Sequence, residues 1–443
     1  MNRSLRSVAV GMVVLAVCGL LLMLAQSPPE PTNAAEVLQA GGPLRWYRGN
    51  IHTHSLWSDG DDYLEMIALW YRDRNYDFLC FTDHNVLSNT ERWSDVLKNQ
   101  GRKVAYDKLK ARFPDWIDER TTDGRLEVRL RRFDEVREKV GIPDKFLLLL
   151  GEEISDRFEN LPVHLNVSNI REAIPPLGGD SVYDTIQNNV NAAIAQRERT
   201  GQPMMVHLNH PNFYYAVTAE DLMKVRGEKF FEVYNGHPSV HNIGNDQHAS
   251  TEQIWDIVLT NRLAQLGLPI MYGLATDDGH EYHKIPSRHS EPGRGWVMVL
   301  ADELKPASLI SAMEHGRFYA SSGVTLDHVA TSPAGIELAA RPEPGVTYTI
   351  EFVGTRRGYN AESQPVRDKA GKEVRATRRY SDDIGVVLKK VAGPKAEYRF
   401  SGDELYVRAR ITSSRPHPNP AEPGEFERAW AQPVIGPAAP KTE

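Results

Sequence analysis

Histidine and carboxylate side chains, the usual ligands of first-row divalent cations, recur at short spacings in this sequence. His52 and His54 are separated by one threonine just after an apolar run. On an extended chain, alternate residues point to the same side, so both imidazoles can converge on one ion. Taken alone, a His-x-His pair is weak evidence, because most such pairs are surface or core histidines.

Further residues of these types follow the ends of successive apolar runs. They are Asp59 in Ser58-Asp59-Gly60, His84 in Thr82-Asp83-His84, Glu153 in Gly151-Glu152-Glu153, His164 in Val163-His164-Leu165, His210 in Asn209-His210-Pro211, and Asp278 and His280 in Asp277-Asp278-Gly279-His280. If the runs are neighbouring strands, these positions share one edge of a sheet, where side chains from distant parts of the chain meet. The pattern therefore predicts a cluster of two or three divalent ions (Zn, Mn or Fe). Two nearby cations activate a bridging water and neutralise charge on the attacked group, so the chemistry indicated is hydrolysis.

The elements that would position this cluster are predicted from the alternation of short apolar runs with amphipathic stretches between Asn50 and Ser322. This alternation is typical of strands and helices around a parallel sheet, and about seven such units predict an α/β barrel. One helix is predicted at Tyr63–Tyr71, whose apolar side chains share a face. The strands are predicted to end at Ile51, Thr82, Leu150, Val167, His207, Tyr234 and Ala275.

Three other segments differ in character from the barrel. Residues 91–145 are long and charged and predict a helical insertion, which could be either a lid or a solvated surface excursion. Residues 329–443 alternate apolar and polar side chains and predict a small antiparallel β-domain, with a proline-rich tail from Pro416. The barrel itself is expected to occupy residues 41–328.

The set of motifs resembles the polymerase and histidinol phosphatase (PHP) metallohydrolases, in which His-x-His, Ser-Asp-Gly, Thr-Asp-His, Gly-x-Glu, His-Pro and Asp-x-His occur in this order. The resemblance covers Gly49 to Ser322. The segments Thr276-Asp277-Asp278 and Gly316-Arg317-Phe318-Tyr319-Ala320-Ser321 are similar to the branch that contains carbaryl hydrolase.

The resemblance implies a distorted seven-stranded (β/α) barrel with three metal sites. Carried over by position, His52, His54, Glu153 and Asp278 would hold one ion, and Glu153 would bridge to a second ion held by His164 and His210. Asp59, His84 and His280 would hold the third. Glu153, Asp278 and His84 are the residues on which catalysis is expected to depend most. No ligand position is missing from the sequence, which argues against an inactive copy.

Neighbouring polar residues are given other roles. Glu152 and Asp277 sit beside proposed ligands but point to the other side, so supporting or packing roles are expected. Asp83 could orient His84 or act as an acid, and His207 is expected to be a packing residue.

Three residues are candidate substrate contacts: Arg294, Arg317 and His237. Surface ion pairing is the commoner role of such arginines. If either arginine faces the metals, a phosphate monoester should be the better substrate; if neither does, a neutral ester should be.

The N-terminal 40 residues predict export. Arg3 and Arg6 precede an apolar stretch, Val8–Ala25, which is followed by a polar, proline-rich linker. This pattern fits either a cleaved signal peptide or a signal anchor that tethers the chain to the membrane, and it places the protein in or facing the periplasm. The sequence has two cysteines, Cys18 within the apolar stretch and Cys80, which is expected to be a buried thiol.

Three functions remain open from the sequence. The leading hypothesis is a phosphoesterase acting on a small phosphorylated molecule, and its close rival is a hydrolase of other esters, carbamates or amides that uses the same metals. The third is a non-enzymatic envelope-binding protein stabilised by metals. With a net charge of -7, the chain lacks the basic field of a nucleic-acid-binding protein, so a small-molecule substrate is expected.

Overall fold

A computed structural model of the chain describes residues 36–39 and 44–440. The apolar stretch Val8–Ala25 of the predicted export segment lies outside them, whereas residues 36–39 of that segment form a strand. The helices are α1 Leu64–Arg72, α2 Gln100–Arg112, α3 Phe133–Val140, α4 Val182–Thr200, α5 Ala219–Leu222, α6 Thr251–Asn261 and α7 Pro306–Glu314. The strands are β1 Glu36–Gln39, β2 Arg45–Asn50, β3 Phe78–Phe81, β4 Arg92–Asp95, β5 Glu119–Thr122, β6 Arg125–Leu130, β7 Leu147–Phe158, β8 Leu161–Ser168, β9 Met205–Leu208, β10 Phe230–Asn235, β11 Tyr272–Thr276, β12 Trp296–Ala301, β13 Phe318–Ser321, β14 Leu326–Ser332, β15 Gly335–Ala340, β16 Tyr348–Arg356, β17 Ser363–Gln364, β18 Arg379–Tyr380, β19 Val386–Ala392, β20 Lys395–Arg399, β21 Glu404–Pro416 and β22 Phe426–Ile435.

The fold is mixed α/β, built on one large mixed sheet with smaller antiparallel sheets beside it. The large sheet has the strand order β11-β10-β9-β8-β7-β3-β2-β12-β13-β22-β21-β16-β19. Strands β2, β3 and β7 are parallel to one another, as are β9, β10 and β11. Helices α1, α4 and α6 cover this part of the sheet with apolar faces buried in two of the core clusters.

The expectation of an entirely parallel sheet was wrong at β8, which runs antiparallel to both β7 and β9. Strands β7 and β8 are joined by a tight turn at Glu159 and Asn160, and a crossover to a parallel strand needs a dozen residues or more. Strand β7 also continues past the predicted end at Leu150, whereas the other six predicted strand ends agree within one residue.

The segments that follow β2 and β11 are hydrogen-bonded to each other. Thr53 and Gly279 form a parallel bridge, the amide of His54 donates to the Gly279 carbonyl (3.0 Å), and that of Asp278 donates to the His52 carbonyl (3.1 Å). These bonds bring together the two segments that carry His-x-His and Asp-x-His. A closed seven-stranded barrel stays a prediction.

The insertion at residues 91–145 is not purely helical. It contains the three-stranded sheet β4-β6-β5 together with α2 and α3. Side chains such as Tyr106, Val128 and Val136 are buried in the same cluster as Leu64 and Ile67 of α1, so this segment is packed onto the fold rather than solvated.

The C-terminal strands extend the large sheet. Strand β22 pairs with both β13 and β21, and a second sheet, β1-β14-β15-β20, shares with it a core that includes Leu338 and Ile350. Strand β22 lies within the predicted proline-rich tail, where Ala429 and Ala431 are buried against their neighbours.

Candidate metal centre

The His-x-His pair behaves as its spacing predicts. His52 and His54 follow β2, are fully buried, and place their Nε2 atoms 3.1 Å from the same Asp278 oxygen, Oδ1. Within the described part of the chain, neither Nε2 has a hydrogen-bond partner. Three ligand-type atoms from two distant segments therefore converge on one point.

Glu153 is at the centre of the cluster. Its Oε1 lies 3.5 Å from His52 Nε2, and its Oε2 lies 3.3 Å from His54 Nε2. On the other side, His164 Nδ1 and His210 Nε2 are 3.0 and 3.4 Å from Oε1. One buried carboxylate thus lies between two sets of imidazoles, as expected of a group shared by two cations.

The third set is the most exposed. Asp59 lies 3.4 Å from His84 Nε2 and 3.5 Å from His280 Nε2, and its side chain is 57% exposed. His84 also presents Nδ1 to Glu153 Oε2 at 2.8 Å, which connects this set to the central carboxylate. Solvent and substrate can reach the centre from this side.

The electrostatics favour cations. Burial alone would raise the pKa of Glu153, but the imidazoles of His84, His164 and His52 hold it well below its usual range. Burial likewise opposes ionisation of Asp278, and the neighbouring histidines again lower its pKa. Both groups are therefore carboxylates, deprotonated as metal binding requires.

The residues fit a resident metal cluster. Buried atoms without a hydrogen-bond partner in the described structure include His52 Nε2, both ring nitrogens of His54, Glu153 Oε2 and His164 Nδ1. Burying polar atoms unpaired is costly, and so many at one point is explained if cations complete their coordination. Every ligand implied by the family resemblance lies in one of the groups that could hold an ion.

Residues beside the ligands have supporting roles. Asp277 accepts hydrogen bonds from the Tyr71 hydroxyl (2.8 Å) and the Gly295 amide (2.8 Å), and Glu152 accepts one from the Ile174 amide (2.8 Å). Asp83 bonds to Ser55 and Ser58 rather than to His84, so it fixes the loop between the first ligands. The predicted orientation of His84 by Asp83 is therefore wrong, and Ser155 Oγ, 2.5 Å from His84 Nδ1, takes that place.

The two candidate arginines do not reach the cluster. Arg294 is fully buried, and its guanidinium donates to Gly236, His289, Asn419 and Glu291. Arg317 precedes β13, whose first residue is level with Tyr47 of β2, so it lies at the opposite edge of the sheet. Neither prediction of substrate contact holds.

His237 does lie at the rim of the cluster. Its ring centroid is 5.6 Å from that of His280, and burial lowers its pKa to about 4. A neutral imidazole at this place remains a candidate substrate contact.

Sequence reasoning missed two residues of the centre, Asn209 and Glu232. Asn209 donates from Nδ2 to Glu153 Oε1 at 2.8 Å, and Glu232 accepts from His52 Nδ1 at 2.7 Å. The signal that could have found Glu232 is a carboxylate inside the otherwise apolar run Phe230–Tyr234.

No protein-family model matches the chain, and no curated protein matches it. Among solved structures, it is similar to a two-domain protein from Bacteroides vulgatus that contains a predicted PHP-like metal-dependent phosphoesterase. That match has 14% identity and a TM-score of 0.39 and covers 88% of this chain and 96% of the other.

A proposed metal-dependent phosphoesterase from Bifidobacterium adolescentis matches at 14% identity and a TM-score of 0.28, over 54% of this chain and 89% of that one. PsfC from Pseudomonas syringae matches with the same identity and TM-score, over 57% and 82%. The function proposed below rests on the side chains of the site.

Proposed function

We propose that the protein is a metal-dependent hydrolase of small esters. The observation that carries this is the position of Glu153, whose carboxylate oxygens lie within 3.5 Å of nitrogens from five histidines. Divalent ions held there would supply an activated water and neutralise charge on the attacked group. The carboxylates of Asp59 and Asp278 complete the ligand sets, and His237 at the rim is placed to donate to a bound substrate.

The charges around the cluster favour an uncharged scissile group. In the described part of the chain, the ion pairs of Glu153, Asp59 and Asp278 are all with histidines. Among the described residues, none of these carboxylates is ion-paired with an arginine or lysine that could also hold phosphoryl oxygens. By the criterion set from the sequence, a neutral carboxylic or carbamate ester is the better substrate, as in the carbaryl-hydrolase branch.

A phosphate monoester is the second candidate, and one observation favours it. Three divalent ions among the three carboxylates Asp59, Glu153 and Asp278 would leave a charge of about +3, which suits an anionic substrate. The role of the missing arginine would then fall to the ions themselves.

A matched substrate pair separates the two. Protein lacking residues 1–34, reconstituted with Mn²⁺ or Zn²⁺, is assayed with an aryl carbamate and an aryl phosphate that share one leaving group. Faster turnover of the carbamate supports the first candidate, and faster turnover of the phosphate supports the second. Absence of turnover over a broad ester panel, by protein shown to carry its ions, would leave the metal-stabilised binding protein as the better hypothesis.

We also propose that the chain acts outside the cytoplasm, on the strength of its basic, apolar and proline-rich first 40 residues. Among the described residues there is no helix long and apolar enough to span a membrane. Fractionation of cells that express the full chain tests this, and recovery from the cytosol would contradict it.

A further inference from the structure

A cavity of about 620 Å³ opens beside the metal centre. It reaches the cluster through His164, which lies 3.0 Å from Glu153, and through Ser155, which contacts His84. The remaining lining is apolar or aromatic at Pro162, Pro176, Phe213 and Tyr214, and it is polar or charged along the end of β7 and the β7–β8 turn, which includes Arg157. Its volume is in the range of pockets that hold small molecules.

One wall of this cavity is a pair of aromatic rings. Phe213 packs against the ligands His210 and His164, with ring centroids 5.1 and 6.0 Å away. Tyr214 continues from Phe213 with a centroid distance of 4.7 Å. Phe213 therefore lies between Tyr214 and the two histidines of the proposed second ion site.

The backbone conformation that exposes Tyr214 is unfavourable. Tyr214 is 72% exposed, and Tyr214 and Tyr215 both have positive φ angles, 51° and 52°. Non-glycine residues rarely adopt this conformation, and it persists where surrounding contacts impose it, often at ligand sites. Here Tyr215 stacks on His248 (3.7 Å between centroids) and its hydroxyl accepts from Asn245, which holds the loop in place.

We propose that this cavity is the binding subsite for an aromatic ring attached to the scissile group, so that the preferred substrates are aryl esters. The inference rests on the proposed hydrolase function and names its substrate class. The ring would pack on Tyr214 and Phe213 while the ester reaches the ions past His164. Because the loop is already held in shape, little ordering is needed on binding.

The test compares a phenyl ester with a trifluoroethyl ester, since their leaving alcohols are both activated but only one carries a ring. The comparison is made in whichever series, carboxylate, carbamate or phosphate, the wild type hydrolyses. Tyr214→Ala should lower the phenyl-to-trifluoroethyl ratio of kcat/KM by about 3- to 10-fold, the value of one aromatic contact. Tyr214→Phe keeps the ring and should keep the ratio.

Phe426→Ala is the control, because it removes another exposed ring, on β22, away from the cavity. An unchanged ratio in Tyr214→Ala, or an equal loss in Tyr214→Phe, overturns the subsite while leaving the hydrolase proposal intact. Absence of wild-type turnover in all three series overturns both.

A second inference concerns Glu232, which is buried in β10 and touches two metal-ligand segments. Its Oε1 accepts from His52 Nδ1 (2.7 Å) and the Thr276 hydroxyl (2.8 Å). Its Oε2 accepts from the His210 amide (2.8 Å) and Asn235 Nδ2 (2.8 Å).

Four donors match the four lone-pair positions of a carboxylate. Glu232 is therefore saturated and is not free to bind an ion, although its oxygens also lie near His207 (3.5 Å). With its Nδ1 donating to Glu232, His52 presents a bare Nε2 to Glu153 and Asp278. We infer that Glu232 is a positioning residue that fixes the position of His52 in one proposed site and of His210 in the other.

Glu232→Gln cannot accept all four bonds, because the amide nitrogen only donates. Competition titration of the purified protein with Zn²⁺ and a chelator should show affinity weakened by about 10- to 100-fold. Glu228→Gln is the matched control: Glu228 is also fully buried and accepts the Leu208 amide, but it contacts no proposed ligand.

Thr276→Val removes one donor to the same carboxylate while Glu232 stays, and should weaken binding in the same direction but less. Zn²⁺ affinity within threefold of wild type in Glu232→Gln, or an equal weakening in Glu228→Gln, overturns the assignment. If Glu232→Gln does not fold, an unchanged affinity in Thr276→Val overturns it instead.

Discussion

Glu153→Gln isolates the central carboxylate, because the replacement keeps the shape of the side chain and removes its charge. The five surrounding imidazoles lose their common anion, and two of the three implied sites lose a shared ligand. The amide can donate to at most two of these nitrogens, and it cannot offset the repulsion between two cations. We expect the protein to retain one ion or none, in place of two or three.

The loss of activity can be scaled from simpler cases. Removing a single neutral hydrogen-bond donor from an active site costs about 10²- to 10³-fold in kcat. A charged ligand shared by two cations should cost more, at least about 10³-fold, which is about 4 kcal/mol of transition-state stabilisation. Elemental analysis and turnover with the best ester substrate measure the two effects.

Glu152→Gln is the control on the same strand. Glu152 is also buried, but its carboxylate faces the other way and accepts the Ile174 amide, which a glutamine oxygen can still do. It should keep its ions and its turnover. Full metal content in Glu153→Gln, or equal losses in both variants, would refute a bridging role for Glu153.

Three further predictions concern residues around the centre. Burial raises the pKa of Glu228 from 4.5 to about 8, so the folded protein holds a proton that the unfolded chain releases. The stability that this group contributes is present below about pH 4.5 and is lost as the pH rises to 8. Glu228→Gln should therefore make the free energy of unfolding, measured with urea, fall less between about pH 5 and pH 8. His207→Ala should lower stability by about 2–4 kcal/mol through the cavity it leaves, with unchanged metal content by elemental analysis, and a normal stability with lost turnover would show a catalytic role instead. Arg294→Met should destabilise by about 3–5 kcal/mol in the same unfolding assay, whereas Arg317→Ala should leave kcat/KM unchanged, and a selective loss of phosphatase turnover in Arg317→Ala would contradict its placement at the far edge.

The convergence of the candidate ligands could be predicted because it depends on local rules. His52 and His54 share a side by the two-residue period of an extended chain, and six of seven strand ends follow from where apolar runs stop. Once strands lie side by side, residues that follow them must meet. The direction of β8 could not be predicted from apolar runs, because they do not reveal strand direction; it is set by the two-residue connection Glu159–Asn160.

Glu232 and Arg294 lie beyond such rules for different reasons. Strand β10 is buried along its whole length, so alternation cannot assign a face to the one carboxylate within it. Arg294 lies between two glycines, and nothing local distinguishes a guanidinium that faces a substrate from one surrounded by carbonyls. Its acceptors include Asn419, 125 residues further along the chain.

Through that distant contact, the C-terminal segment supports a loop of the metal centre. Asn419 accepts two bonds from Arg294, and the carboxylate of Glu425 accepts from the Tyr234 hydroxyl at 3.2 Å. The Arg294 amide in turn donates to Asp277, the neighbour of the ligand Asp278. Because a buried arginine that loses its acceptors is costly, a chain cut before His417 would disturb the loop that carries Asp278. The C-terminal segment therefore supports the candidate metal centre as well as extending the sheet.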